Sequence, residues 1–173
     1  MPSPHRAHFY LDSIRVGHAY LELFGPDDGD EGEVYGFYPE RFDGDGEVLV
    51  DRGEIRHDRE RLERVRARPD LELLTGRTDL SPEQYRRAAK FLDDFEADPR
   101  RYYFLGYNCI DFLQDVYRAA RDDERADVLR LFRAADLARV SATGWYAVVA
   151  QARQRVGRVL RKRLTDDRAS GTV

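Results

Sequence analysis

One cysteine, one methionine and one tryptophan stand among 173 residues. A single cysteine forms no internal disulfide, so the fold needs no oxidising compartment. No stretch approaches the ~18 apolar residues of a membrane-spanning helix. The opening segment "MPSPHRAHFYLDS" has no apolar core of the kind a signal peptide carries. That predicts synthesis and folding in the cytoplasm, with any export left to a dedicated secretion system. The four histidines lack metal-ligand spacing and there is no second cysteine, so neither a metal nor another cofactor is expected. No glycine-rich phosphate loop is present. The net charge of -4 gives no general case for a nucleic-acid partner. The acidic run Asp27-Asp28-Gly29-Asp30-Glu31 lacks the spaced ligands of a calcium loop and reads as a solvated hairpin turn.

What is present is a globular composition, 42% hydrophobic and 36% charged. The chain is long enough for one domain with a real core, and no linker divides it. The first part reads as strands. "AHFYLDSI" and "GHAYLELF" alternate; in the second, Ala19, Leu21 and Leu23 face one way while His18, Tyr20 and Glu22 face the other. "VYGFY", residues 34–38, is the other arm of a hairpin closed by the acidic loop, and "GEVLVDRG" and "LELLTGR" are further strands. "HDRERLERVRARPD" fits a short charged helix or a solvated crossing segment.

The second part reads as helices. Ser81-Pro82-Glu83-Gln84 is a helix start, with Ser at the cap and Gln three residues on. A second helix begins near Asn108 and carries Phe112, Leu113, Val116, Tyr117 and Ala120 on one face. A third is expected over residues 123–138, presenting Leu129, Phe132 and Ala135, and a last over 145–164, before a tail at 165–173. The expected architecture is α+β: a small antiparallel sheet packed with helices, its core at about residues 8–120 and its C-terminal helices at 123–164.

Cys109 is the residue on which function turns. It shares a helical face with Phe112, Leu113 and Val116, and a cysteine in that setting is most often a packing residue. Against this, Asn108 is a strong helix N-cap and puts Cys109 at the first helical position. Unpaired N–H groups and the helix dipole there favour a thiolate and can hold a developing oxyanion. A thiol nucleophile usually needs a histidine. His5 lies in the leader, His57 in a charged stretch and His8 opens a strand; His18, in "GHAYLEL", is the candidate.

The order "GHAYLEL" and then "YNCIDF" at a helix N-terminus resembles the circularly permuted papain-like cysteine hydrolases. These form the permuted branch of the NlpC-type superfamily, which includes lecithin:retinol acyltransferase-like enzymes. In that branch the histidine strand precedes the cysteine helix, with an Asn-Cys-x-x-Phe pattern that Asn108-Cys109-Ile110-Asp111-Phe112 fits. "VYGFYP", "LSPEQY" and "YNCIDF" also look like domains of bacterial secreted effectors, including type VI secretion effectors. The resemblance covers about residues 8–120.

It implies a papain-like, circularly permuted fold with Cys109 as nucleophile and His18 as base. The family also uses a polar residue on the next strand to hold the imidazole. Glu22 is excluded by distance, since four residues along a strand span ~13 Å. The hairpin brings Tyr38 to Glu40 beside His18. Glu40 is the better chemistry, Tyr38 the better fit to the strand. Asp111 serves the helix N-terminus. The expected reaction is acyl transfer through a thioester, on a peptide amide or, alternatively, on a lipid ester. The effector likeness adds a secretion apparatus and an immunity protein as partners. A non-catalytic binding module on the same fold is the remaining reading. The basic face of the last helix, Arg153 to Arg163, reads as solvated more readily than as a membrane contact.

Overall fold

The computed structural model describes residues 5–12, 18–41, 50–104, 106–134 and 136–137. Elements run in the order β1 (His5–Asp12), β2 (Ala19–Phe24), β3 (Glu33–Pro39), β4 (Val50–His57), α1 (Arg59–Arg66), β5 (Leu73–Leu80), α2 (Pro82–Ala97), β6 (Arg101–Tyr103) and α3 (Cys109–Arg121). The six strands form a sheet ordered β5-β1-β2-β3-β4-β6. Every neighbouring pair is antiparallel. This is an α+β fold.

Two-residue alternation gives each central strand two buried faces. Phe9, Leu11, Ala19, Leu21, Leu23 and Phe37 pack under α2 and α3, against Leu92, Phe95, Phe112, Leu113 and Val116. On the opposite face Tyr10, Tyr20, Val34 and Tyr38 pack with Leu62 of α1. The alternation expected of "HAYLEL" therefore holds. Its polar-looking side is nonetheless enclosed, because α1 covers it.

Both expected helix starts are present. Ser81 Oγ accepts from Gln84 N–H, and Gln84 Oε1 accepts from Ser81 N–H. Asn108 caps α3 in the same reciprocal manner with Asp111. The charged segment after β4 forms α1, N-capped by Asp58 and burying Leu62 and Val65.

Three expectations need correction. His5 belongs to β1 rather than a leader, and its ring stacks on Tyr85 at 4.5 Å. The fourth strand runs Val50–His57, later than expected, and residues 46–49 lie outside the described residues. β6 had no legible pattern in three residues. The helix expected over 123–138 is interrupted: residues 123–133 form turns and a 3-10 turn at Val128–Leu131, while Ala134, Asp136 and Leu137 are helical. Asp122 ends α3 in the left-handed conformation, at φ 53°. Asp123 Oδ1 then accepts from Arg125 N–H, and Asp127 Oδ1 from Leu129 N–H. Aspartate side chains compete here for N–H groups that a continuous helix would use. Phe132 is buried as expected, while Leu129 is exposed. Ala135, the helix expected over 145–164 with its basic face, and the tail lie outside the described residues.

Candidate active site

Asn108 decides where α3 begins. Its backbone is extended, its Oδ1 accepts from Ile110 N–H at 3.0 Å, and Asp111 Oδ2 accepts from Asn108 N–H at 3.1 Å. Asn108 Nδ2 donates to Phe104 O at 2.9 Å, which ties the cap to the preceding loop. Cys109 is thereby fixed as the first helical residue. The apolar stripe behind it seats the helix on the Ala19–Leu21 face of the sheet.

Cys109 is 0% exposed. Burial pushes its thiol up to about 12, and the Asp12 and Asp111 carboxylates act in the same direction. Two N–H groups oppose that shift at the sulfur: that of Ala19 and that of Cys109 itself. The Ala19 contact arises from the sheet. The β2–β3 ladder runs from Leu23↔Glu33 to Tyr20↔Gly36 and stops there. Ala19 keeps Leu11 as its partner on β1. β3 runs on, pairing Phe37, Tyr38 and Pro39 with β4. The thiol thus reaches β2 where β2 and β3 part.

His18 immediately precedes that residue. Its N–H donates to Asp12 Oδ1 at 2.8 Å, and its carbonyl accepts from Asp12 N–H at 2.9 Å. Its ring leaves the strand on the α1 side, stacked on Tyr38 at 4.1 Å and edge-on to Tyr20 at 4.7 Å. Burial, followed by the Arg61 and Arg56 guanidiniums, holds the imidazole well below its ordinary pKa. Thiol and imidazole therefore lie on opposite faces of the sheet at the start of β2, the thiol approaching from α3, and both are uncharged at neutral pH.

Of the two residues expected beside His18, the structure brings Tyr38 onto its ring. Gly36 makes room for this: a Cβ there would lie 2.5 Å from Tyr38 Cε2 and 3.1 Å from His18 Nε2. Tyr38 Oη donates to Asp58 Oδ2 at 2.8 Å. Glu40 lies in the turn after β3 and is exposed. Its main chain is held by Arg52 O and by the Arg56 guanidinium.

A polar layer around this site was not legible in the sequence. Tyr20 Oη donates to Asp12 Oδ2 at 2.9 Å and accepts from Arg61 Nε at 2.9 Å. Further along the same face, Glu22 is 1% exposed and accepts from Tyr10 Oη at 2.7 Å and Arg66 Nη2 at 2.8 Å. The available signal was that His18, Tyr20 and Glu22 alternate on one face. What their partners would be depended on α1. His57 ends β4 and lies 3.7 Å from Glu96. Among the described residues no group of three or more His, Cys, Asp or Glu could hold a metal ion, and no helix is long and apolar enough to cross a membrane.

No protein-family model, curated protein or solved structure matches the chain.

Proposed function

We propose that the protein is a cysteine hydrolase of the circularly permuted papain-like kind, acting on an amide bond. The observation that carries this is the contact of the Cys109 thiol, at the N-terminus of α3, with the N–H of Ala19 beside His18. His18 takes the S–H proton as the sulfur attacks the carbonyl carbon. The positive end of α3 stabilises the oxyanion. His18 then returns the proton to the leaving amine, and a thioester remains. Water attacks the thioester, giving a proton to His18, and the acid leaves as the thiol is re-formed. Both groups rest uncharged, so proton transfer accompanies attack rather than preceding it. For the imidazole to reach the sulfur, its ring must turn about the end of β2. Tyr38, stacked on that ring, is the orienting residue better supported by the geometry; Glu40 would act only after a rearrangement of its turn.

The family resemblance allows an amide, as in peptidoglycan stem peptides, and that is the substrate class taken here; the effector likeness suits either class. A lipid ester is the alternative on the same chemistry. The effector reading carries with it a secretion apparatus and an immunity protein. The full burial of Cys109 favours a second reading, a non-catalytic module that keeps the cysteine for packing.

Intact-mass analysis of the protein with a peptide thioester, stem-peptide amides and phospholipid vesicles tests this. An acyl adduct on Cys109, lost in Cys109→Ala and His18→Ala, is expected. Absence of any adduct or turnover, with the thiol still resistant to alkylation in the presence of every substrate, would leave the packing module.

A further inference from the structure

A cleft of ≈ 670 Å³ opens on the α1 face, at the end of β1 and β2 remote from His18. Its volume is that of a small-molecule site. Strand register builds it. Arg77 of β5, His8 of β1 and Glu22 of β2 stand directly opposite one another, and in the adjoining row Asp79, Arg6 and Phe24 do the same. All six line the cleft.

These groups differ in what they have left to offer. Glu22 is occupied by Tyr10, Arg66 and Arg59. Arg6 is engaged by Gly29 O and Asp30, and its guanidinium lies 4.3 Å above the Phe24 ring. Arg77 and Asp79 are different. Both are exposed, and neither forms an ion pair with any described residue. They project from the same face of one strand, two residues and roughly 6–7 Å apart.

His8 adds a directed acceptor. Tyr10 Oη spends its proton on Glu22, so His8 Nδ1, 3.1 Å away, must donate to the Tyr10 oxygen. That leaves Nε2 as a bare lone pair. Burial, and next Arg77, lower the His8 pKa to about 4, so the ring is neutral at neutral pH.

The cleft therefore offers one uncommitted cation, one uncommitted anion and one neutral acceptor. We propose that it binds the zwitterionic centre of an α-amino acid, free or at the end of a peptide or side chain. The carboxylate sits on Arg77, and the ammonium is shared by Asp79 and His8 Nε2. Ring and guanidinium close over the Phe24 floor. This inference does not depend on catalysis by Cys109.

The test is a titration of ¹⁵N-labelled full-length protein with alanine, L and D, at neutral pH. Saturable shifts centred on His8, Phe24, Arg77 and Asp79 are expected. N-acetylalanine, which lacks the ammonium, and alanine amide, which lacks the carboxylate, should each bind at least ~10-fold more weakly. Arg77→Gln and Asp79→Asn should weaken alanine binding to a similar degree. Both positions are exposed, so unchanged shifts elsewhere in the sheet will report an intact fold. The proposal is overturned by absence of saturable shifts, by sodium acetate or N-acetylalanine binding as well as alanine, or by indifference to both substitutions.

Discussion

Cys109 and His18 are shifted in opposite directions by the same cause, removal from water. The thiol's folded value is raised, from an ordinary 9 to about 12. Its contribution to stability is therefore complete below pH 9 and is lost as pH rises toward 12. Urea unfolding across that range should show a fall that is shallower in Cys109→Ala, with about 1 kcal/mol lost at neutral pH for the missing sulfur. Alkylation of the resting protein should be slow at neutral pH and accelerate toward about pH 12. Fast labelling near neutrality would show that the thiol is not sealed. Gly36 provides a test of the imidazole's surroundings. Gly36→Ala puts a methyl 2.5 Å from Tyr38 Cε2, so one ring must shift. Acyl-adduct formation should fall more than stability, which should drop by about 1–3 kcal/mol. An unchanged rate would mean that the Tyr38–His18 stack has no part in orienting the ring.

Two helices start with the same device, yet only one start lies at the candidate site. In α3 the Asn108 side chain holds Ile110 N–H and Phe104 O together, so the cap also fixes the loop before the thiol. Asn108→Ala should cost about 2 kcal/mol by thermal unfolding and reduce acyl-adduct formation; Asn108→Asp should retain most of the cap. Ser81→Ala removes the α2 cap, should cost about 1 kcal/mol and should leave adduct formation unchanged. Equal effects of the two caps on adduct formation would remove any special role for the start of α3.

Across the molecule the central strands of the sheet are enclosed on both faces, and Glu22 links them to α1. The Glu22 side chain is 2% exposed, while Arg66 and Arg59 are about a third exposed, at 33% and 36%. Glu22→Ala would leave both guanidiniums and Tyr10 Oη without their carboxylate. Allowing for solvent screening at the arginines, a loss of about 2–3 kcal/mol is expected, and less for Glu22→Gln. Calorimetry of the three proteins decides it; an unaltered melting temperature for Glu22→Ala would show that α1 is held by Leu62 and Val65 alone. His8, in the same layer, has a lowered folded value, from 6.5 to about 4. Its contribution is present above pH 6.5 and is lost as pH falls toward 4. His8→Gln should flatten that part of the acid limb.

The local patterns were readable because each closes within a few residues. The Ser81–Gln84 box, the Asn108 cap and the alternation of Ala19, Leu21 and Leu23 depend only on spacing along the chain. That also sufficed to place Tyr38 near His18, since a hairpin's register follows from its loop. The first part of the helix expected over 123–138 failed because apolar spacing does not record how Asp123 and Asp127 side chains capture nearby N–H groups. Other features depended on segments far apart in sequence. Burial of His18, Tyr20 and Glu22 required α1 to lie across them, with Arg61 and Arg66 arriving from about forty residues away. The partner of the Cys109 thiol required β2 and β3 to part at Ala19. Alternation along a strand assigns a side chain to a face; what covers that face is settled by the path of the rest of the chain.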